Sequence, residues 1–529
     1  MKKIIIVFSF LFPFFLMAQQ PSYERPRLVI GITVDGLRAD YLSMFWNELS
    51  KQGIKKIIEN GAFCQNVGYS YEAFDKVTDF ATFSTGAEPY LHGIVNGSYY
   101  DRQSKQKVSV IADNTATPIA GTERVSSRKM LSSTVADELQ MNTMEQSTVI
   151  SLAMDSKASI LQVGHLADAV LWIDDANGNW STSSSYANQL PSWVKKKNEQ
   201  KSIQDYMKMK WDPLFPINYY VVSQAKNFSE KGFSYSLKDI CKGQGAYKRF
   251  KQTPFANTYL RELAVDALSN ESLGKDVFPD MLLVNFSLNS FTSQEDGLTV
   301  ELEDAYLRLD NDIKMLLEAA EQKVGRENLL VYVVSTRAEK SPISPAVQKK
   351  IPGGIFNSYR YMSLLNTYLM AIYGQENWVS AYDKGNIYLN RQRIDDKGIS
   401  LREIQDRTME FVSQIPGVMS VSTSFMLEQA FAGEGKTVYP YNKQYSGDLI
   451  LSLYPGWTEV DKDDKPIDCN NTVNTCVPIY FYGWKIKHQR INSYISAINV
   501  ATTLSGWLQI SNPNANRGIP IPIELLESK

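Results

Sequence analysis

Apolar runs bounded by turn residues alternate along this 529-residue chain with longer amphipathic stretches, and that alternation restricts the fold more than any other feature. A strand that is apolar all round must be covered on both faces, which is the arrangement of a largely parallel sheet between two layers of helices. The runs 28–34, 148–154, 281–287, 329–335, 449–453 and 479–482 read as strands. The stretches 37–49, 255–268, 300–324, 401–415 and 495–508 carry the helical period. The expected class is α/β, with a large, mostly parallel central sheet and helices on both faces. Two regions break the pattern, at about 181–253, which contains Lys195-Lys196-Lys197, and at about 341–398. They read as insertions that cap the carboxyl ends of the strands, where open α/β sheets bind ligands.

With 43% hydrophobic and 12% aromatic residues the chain can bury a large core. Its formal charge of −2 excludes the basic surplus of a nucleic-acid binder. Residues 1–18 begin Met1-Lys2-Lys3, continue as an apolar stretch to Ala18 and meet Gln19-Gln20, the pattern of a secretory signal peptide. The expectation is a periplasmic or secreted protein whose residues 19–529 form a single domain with the two cap insertions. No later run approaches the roughly 20 apolar residues of a membrane span. Of the four cysteines, Cys469 and Cys476 flank an Asn/Thr-rich stretch and are expected to form a disulfide in an oxidising compartment. Two free thiols are the alternative.

The segment 28–41 reads Leu-Val-Ile-Gly-Ile-Thr-Val-Asp-Gly-Leu-Arg-Ala-Asp-Tyr. Further along come Ser84-Thr85-Gly86, Pro89, His92-Gly93, Ala158-Ser159-Ile160-Leu161, Gly164-His165 and Trp172-Ile173-Asp174-Asp175. The block from Glu303-Asp304 to Leu309-Asp310 follows, then Pro478 and Gly483-Trp484. In this order the motifs resemble the alkaline phosphatase superfamily, most of all its PafA-like alkaline phosphatases and their type I phosphodiesterase/nucleotide pyrophosphatase relatives. The resemblance implies two zinc ions on Asp and His side chains, with a Thr or Ser that attacks phosphorus.

On that frame Asp35 falls on the first zinc-ligand position, and the nucleophile position falls on Lys76, with Thr78 two residues later. The segment after Asn285-Phe286-Ser287 offers Ser290 and Gln294 where the family has an Asp and a His. The family's Asp-His pair becomes Thr336-Arg337, and its last His falls on Ile467. The chain has three histidines, and none lies between His165 and His488. In the phosphate clamp the Asn falls on Gly97, with Asn96 adjacent, and the Lys and Arg fall on Asp155 and Lys157.

A catalytic zinc usually needs about three protein ligands, and Asp35 is the one retained candidate. The expectation is therefore a pseudoenzyme with no catalytic residue and no cofactor, whose role is to bind or scaffold another envelope or secreted protein. Its Tyr- and Trp-rich caps would be the contact surface. The alternative is a zinc-dependent hydrolase of phosphate monoesters, phosphodiesters or sulfate esters. Lys76 and Arg337 are expected to fill the vacated volume and neutralise Asp35, and the same two cations offer a pocket for a small anionic ligand. His92 and His165 read as hydrogen-bonding framework, and His488, near Lys485, Lys487 and Arg490, as solvated. The acidic group Asp461, Asp463, Asp464 and Asp468 reads as a solvated loop and not a calcium site. Asp174 to Asn179 reads as a hairpin turn.

Overall fold

The computed structural model describes residues 25–72, 75–226, 232–288, 298–337, 350, 352–435, 437–467 and 476–526. Residues 1–18, Ser290, Gln294, Asp468 and Cys469 lie outside this set, and with Cys469 the expected bridge to Cys476.

The principal strands, in chain order, are β1 (Leu28–Asp35), β2 (Ala62–Gly68), β3 (Val149–Ala153), β4 (Ala169–Ile173), β5 (Trp180–Ser183), β6 (Asp280–Ser287), β7 (Leu329–Thr336), β8 (Val379–Asp383), β9 (Asn386–Leu389), β10 (Val418–Thr423), β11 (Leu449–Leu453) and β12 (Cys476–Gly483). The large sheet runs in the order β2-β12-β7-β1-β6-β3-β4-β5. Its centre, from β7 to β4, is parallel. β12 and β2 on one side and β5 on the other run antiparallel to their neighbours, so the sheet as a whole is mixed.

β1 is buried at every position, as its mostly apolar run requires, and Thr33 and Asp35 are buried with it. Leu28, Ile30, Ile32 and Val34 share a core with two long helices, α4 (Pro254–Asn270) and α5 (Val300–Val324). Val29 faces the opposite core, built on α1 (Val77–Thr85), α2 (Val135–Asn142), α3 (Ser156–Val163) and α7 (Asn499–Leu508). The expected helix over 37–49 is confined to Ala39–Met44, because Gly36 turns the chain at φ +79° and Arg38 provides no side-chain cap. Residues 495–496 pair with β2 instead of starting the last helix.

The first insertion is tied to α5 by two adjacent carboxylates. Asp304 accepts hydrogen bonds from Trp211 Nε1 (2.6 Å), Tyr220 Oη (2.6 Å) and the Leu214 amide (2.7 Å). Glu303 accepts from the amides of Val221 and Val222. The second lobe has its own antiparallel sheet, β8-β9-β11-β10, covered by α6 (Ser358–Tyr373) and by helix 401–412 around Leu365, Leu369, Trp378, Ile404 and Leu451. It runs from Gly354 to Val460, well past the 341–398 stretch, because β10 and β11 close its sheet.

Candidate functional site

Three parallel strands end at one level. Asp35 pairs in register with Ser287 on β6 and with Thr336 on β7. The Asp35 carboxylate, 4% exposed, receives the Lys76 ammonium on Oδ2 at 2.6 Å, and on Oδ1 the Thr336 hydroxyl and the Asn285 amide, both at 3.2 Å. Lys76 is the residue preceding the first turn of α1, which aims its side chain at the strand ends. The sequence reading that Lys76 neutralises Asp35 agrees with this geometry.

Arg337 behaves otherwise. It turns away from Asp35 and pairs with Asp79, one helical turn beyond Lys76: its amide donates to Oδ2 at 2.8 Å, its Nε to Oδ1 at 3.0 Å, and its terminal Nη2 to the same carboxylate. The other terminal nitrogen donates to the Tyr71 carbonyl at 2.7 Å. The guanidinium carbon lies 4.1 Å from the ring centre of Tyr69 and 4.8 Å from that of Tyr71, contacts that add to the ionic attraction. Burial opposes the charge, but Asp79 outweighs it and raises the pKa above that of a free arginine. The expectation that Arg337 neutralises Asp35 and lines a ligand pocket is thus corrected: a guanidinium 2% exposed and hydrogen-bonded along both edges has no free face. Asp79 was not singled out from sequence, although its place one turn after Lys76 is a signal that a buried cation nearby would need it.

The clamp positions gather at the other side of the cleft. The Gly97 amide donates to Asp75 Oδ2 at 2.7 Å, and a Cβ at Gly97 would lie 3.2 Å from the Lys157 ammonium. Gly97 thus lies close beneath both Asp75 Oδ2 and the Lys157 ammonium, which a side chain there would push aside by a few tenths of an ångström. Asn96, one residue earlier, is 2% exposed and does not line the cleft. Asp155 precedes α3 and pairs with Lys251 at 3.3 Å. Packing opposes the charged form of Asp155, though only in part because its side chain is 64% exposed, and Lys251, Lys76 and Lys157 hold the carboxyl below its ordinary pKa. Lys251 was not anticipated, since it stands nearly a hundred residues away in an insertion.

His92 is fully buried, with Nε2 3.1 Å from the Thr82 hydroxyl and Nδ1 accepting from the Ile94 amide; burial pushes its pKa down to about 3. His165 Nδ1 meets Asp137 at 2.9 Å. His488 is exposed. Thr78 is fully buried and so offers no hydroxyl to the cleft. Asp174 accepts from the amides of Ala176 and Asn177 in the β4–β5 hairpin turn, and Asp461 accepts from the amides of Asp463 and Lys465 in a loop.

The zinc ions implied by the resemblance do not fit the described residues. An ammonium and an amide present protons to Asp35 where a cation would have to approach, and the Thr336-Arg337 corner offers a hydroxyl already donated to Asp35 and a guanidinium, which has no lone pair to give.

A fold with its cleft at the strand ends, over Asp35 and beneath two lobes, is that of the alkaline phosphatases and phosphodiesterases. The chain belongs to the type I phosphodiesterase / nucleotide pyrophosphatase family, whose model matches residues 29–477. It is 29% identical to the alkaline phosphatase PafA of Elizabethkingia meningoseptica over 94% of each chain. It is 28% identical to a Myroides odoratus protein named a calcium-transporting ATPase, over 98% of each. The crystal structure of wild-type PafA superposes with a TM-score of 0.82 at 27% identity, covering 94% of this chain and 98% of the other.

Proposed function

We propose that this protein is an exported, non-hydrolytic member of its family, retained to bind or scaffold another envelope or secreted protein. The observation that carries this reading is the Lys76–Asp35 pair at 2.6 Å. An ammonium at the position assigned to the nucleophile supplies no alkoxide, and it neutralises the carboxylate that would have to hold a metal. Phosphoryl transfer depends on metal and clamp charges that stabilise the transferred group, and here the clamp contributes Asp155 in place of a cation. Lys157, half-buried over Gly97, is the cleft cation best placed to meet a small anion. The apolar stretch before Gln19 supports export. Leu214, Phe215 and Tyr219, exposed on the first insertion, support a protein contact there.

The 29% identity to an alkaline phosphatase over nearly the whole chain favours a second reading, a zinc-dependent ester hydrolase. Metal analysis of purified protein, with assays on a phosphate monoester, a phosphodiester and a sulfate ester, separates the two. The first reading expects neither zinc nor turnover. Stoichiometric zinc with turnover abolished by Asp35→Ala overturns it. Affinity capture from the native cell envelope then identifies the partner.

A further inference from the structure

Each lobe sends one lysine down to the floor of the cleft. From the first insertion Lys251, whose side chain is 9% exposed, bridges Asp155 at 3.3 Å and Asp175 at 2.7 Å. Burial works against its charge, but the two carboxylates outweigh it, so it holds its proton more tightly than a free lysine. From the second lobe Lys384 reaches Asp75 at 3.3 Å, both side chains being under 20% exposed. Asp75 is itself part of the floor, accepting from the Gly97 amide and from the first amide of α1.

The backbone at Lys384 adds an independent observation. Asp383 pairs with Asn386, so Lys384-Gly385 is a two-residue hairpin loop between β8 and β9, and both residues have positive φ, +45° and +80°. Such loops favour Asn, Asp or Gly at the first position, and a lysine held in the left-handed region is strained. The strained residue is the one whose ammonium enters the cleft.

We propose that Lys251 and Lys384 form a two-sided ionic clasp that pins the chain at 251 and the 383–386 hairpin tip to the cleft floor, so that the floor opens locally when a pair breaks. Asp304 and Glu303 on one side, and the Arg102–Asp448 and Lys107–Asp383 pairs on the other, keep the lobes themselves in place. The inference rests on the reading of the cleft as non-catalytic and adds how its floor is kept shut. The carboxylates Asp155 and Asp75 stand where incoming charge would otherwise meet Lys157 and Lys76, and each is occupied by a cation from the lobe above it. Breaking the Lys384 pair exposes a lysine and a carboxylate that are both under 20% exposed, whereas breaking the Lys251 pairs frees a buried ammonium from Asp155 and Asp175, which are already 64% and 55% exposed; salt favours either change by screening the charges.

Amide hydrogen exchange on the intact chain tests the clasp in wild type, K384N and K251M at about 50 mM and about 500 mM salt, where the screening length falls severalfold. K384N keeps a residue suited to the turn and removes the ammonium. It should raise exchange across residues 95–98 and 383–386 roughly threefold or more at low salt, and cancel the salt response seen there in wild type. K251M should do the same at 155–157 and 174–176. Unchanged exchange in K384N overturns the clasp, and so does slower exchange, which would show that only turn strain had been relieved. Turnover by the wild-type protein would remove the proposed function but would leave the exchange outcome to decide the clasp separately.

Discussion

Arg337 and Asp79 form an ion pair closed off from solvent: the two side chains are 1% and 0% exposed, and the guanidinium packs against the rings of both Tyr69 and Tyr71. Removing one member of such a pair leaves the other as an uncompensated charge in a dry interior. Arg337→Met should therefore destabilise the protein by about 3–5 kcal/mol. Asp79→Leu combined with Arg337→Met should recover a large part of that loss, and urea denaturation of the single and double variants measures both.

Lys76→Ala should cost less, about 2 kcal/mol, because its side chain is 22% exposed and water can partly solvate the Asp35 carboxylate left behind. Lys76→Thr places a hydroxyl at the nucleophile position without changing Thr336, Arg337 or Asp155. No release of phosphate from a monoester above background is expected from it, and a colorimetric assay suffices to see any.

The two framework histidines should tilt stability in opposite directions with pH. His92 has its folded pKa lowered from 6.5 to about 3 by burial, so its neutral form is fully compatible with folding above about pH 6.5, and stability is lost as pH falls toward 3, by at most about 1.4 kcal/mol per pH unit. Burial works against the charge of His165 as well, but the hydrogen bond and charge of Asp137 prevail and raise its pKa. Its contribution is complete below about pH 6.5 and is lost as pH rises through the folded value. His92→Gln should flatten the acid side of a stability–pH curve, and His165→Gln the neutral side.

A chelator should leave the melting temperature unchanged. Bound metal stabilises the folded state by mass action, whereas here the strand-end carboxylate of Asp35 is neutralised by Lys76, and Arg337 is matched by Asp79 of α1. A fall in melting temperature on adding EDTA, restored by zinc, would contradict this.

The central strands and the long helices α4 and α5 were legible because burial on both faces leaves few polar positions in a strand, and a 3.6-residue period leaves a regular stripe on a helix. The extent of the second lobe was not, since β8 and β10 are short and half-exposed, and the buried strand β11, legible by itself, pairs with β9 far earlier in the chain. At the site, the partner of Lys76 followed from the strand end at Asp35. The partner of Arg337 did not, because a single residue's direction at the end of β7 decides whether its side chain points across the cleft or down into the Tyr69–Tyr71 box. Glu303-Asp304 was read only as a resemblance motif, and its task of fastening the first insertion becomes visible once Trp211 and Tyr220 are seen on it.

The level ending of β1, β6 and β7 has a consequence for how such a protein can change over time. Asp35, Ser287 and Thr336 are brought to one level by backbone pairing, so their positions are set by the sheet and not by the side chains mounted on its tips. A change of charge at the centre asks for new side chains at a few strand and helix ends and for matched partners just beneath them, as Arg337 has in Asp79, Tyr69 and Tyr71. A lineage can cross from one chemistry to another, or out of chemistry altogether, while its folding problem stays solved.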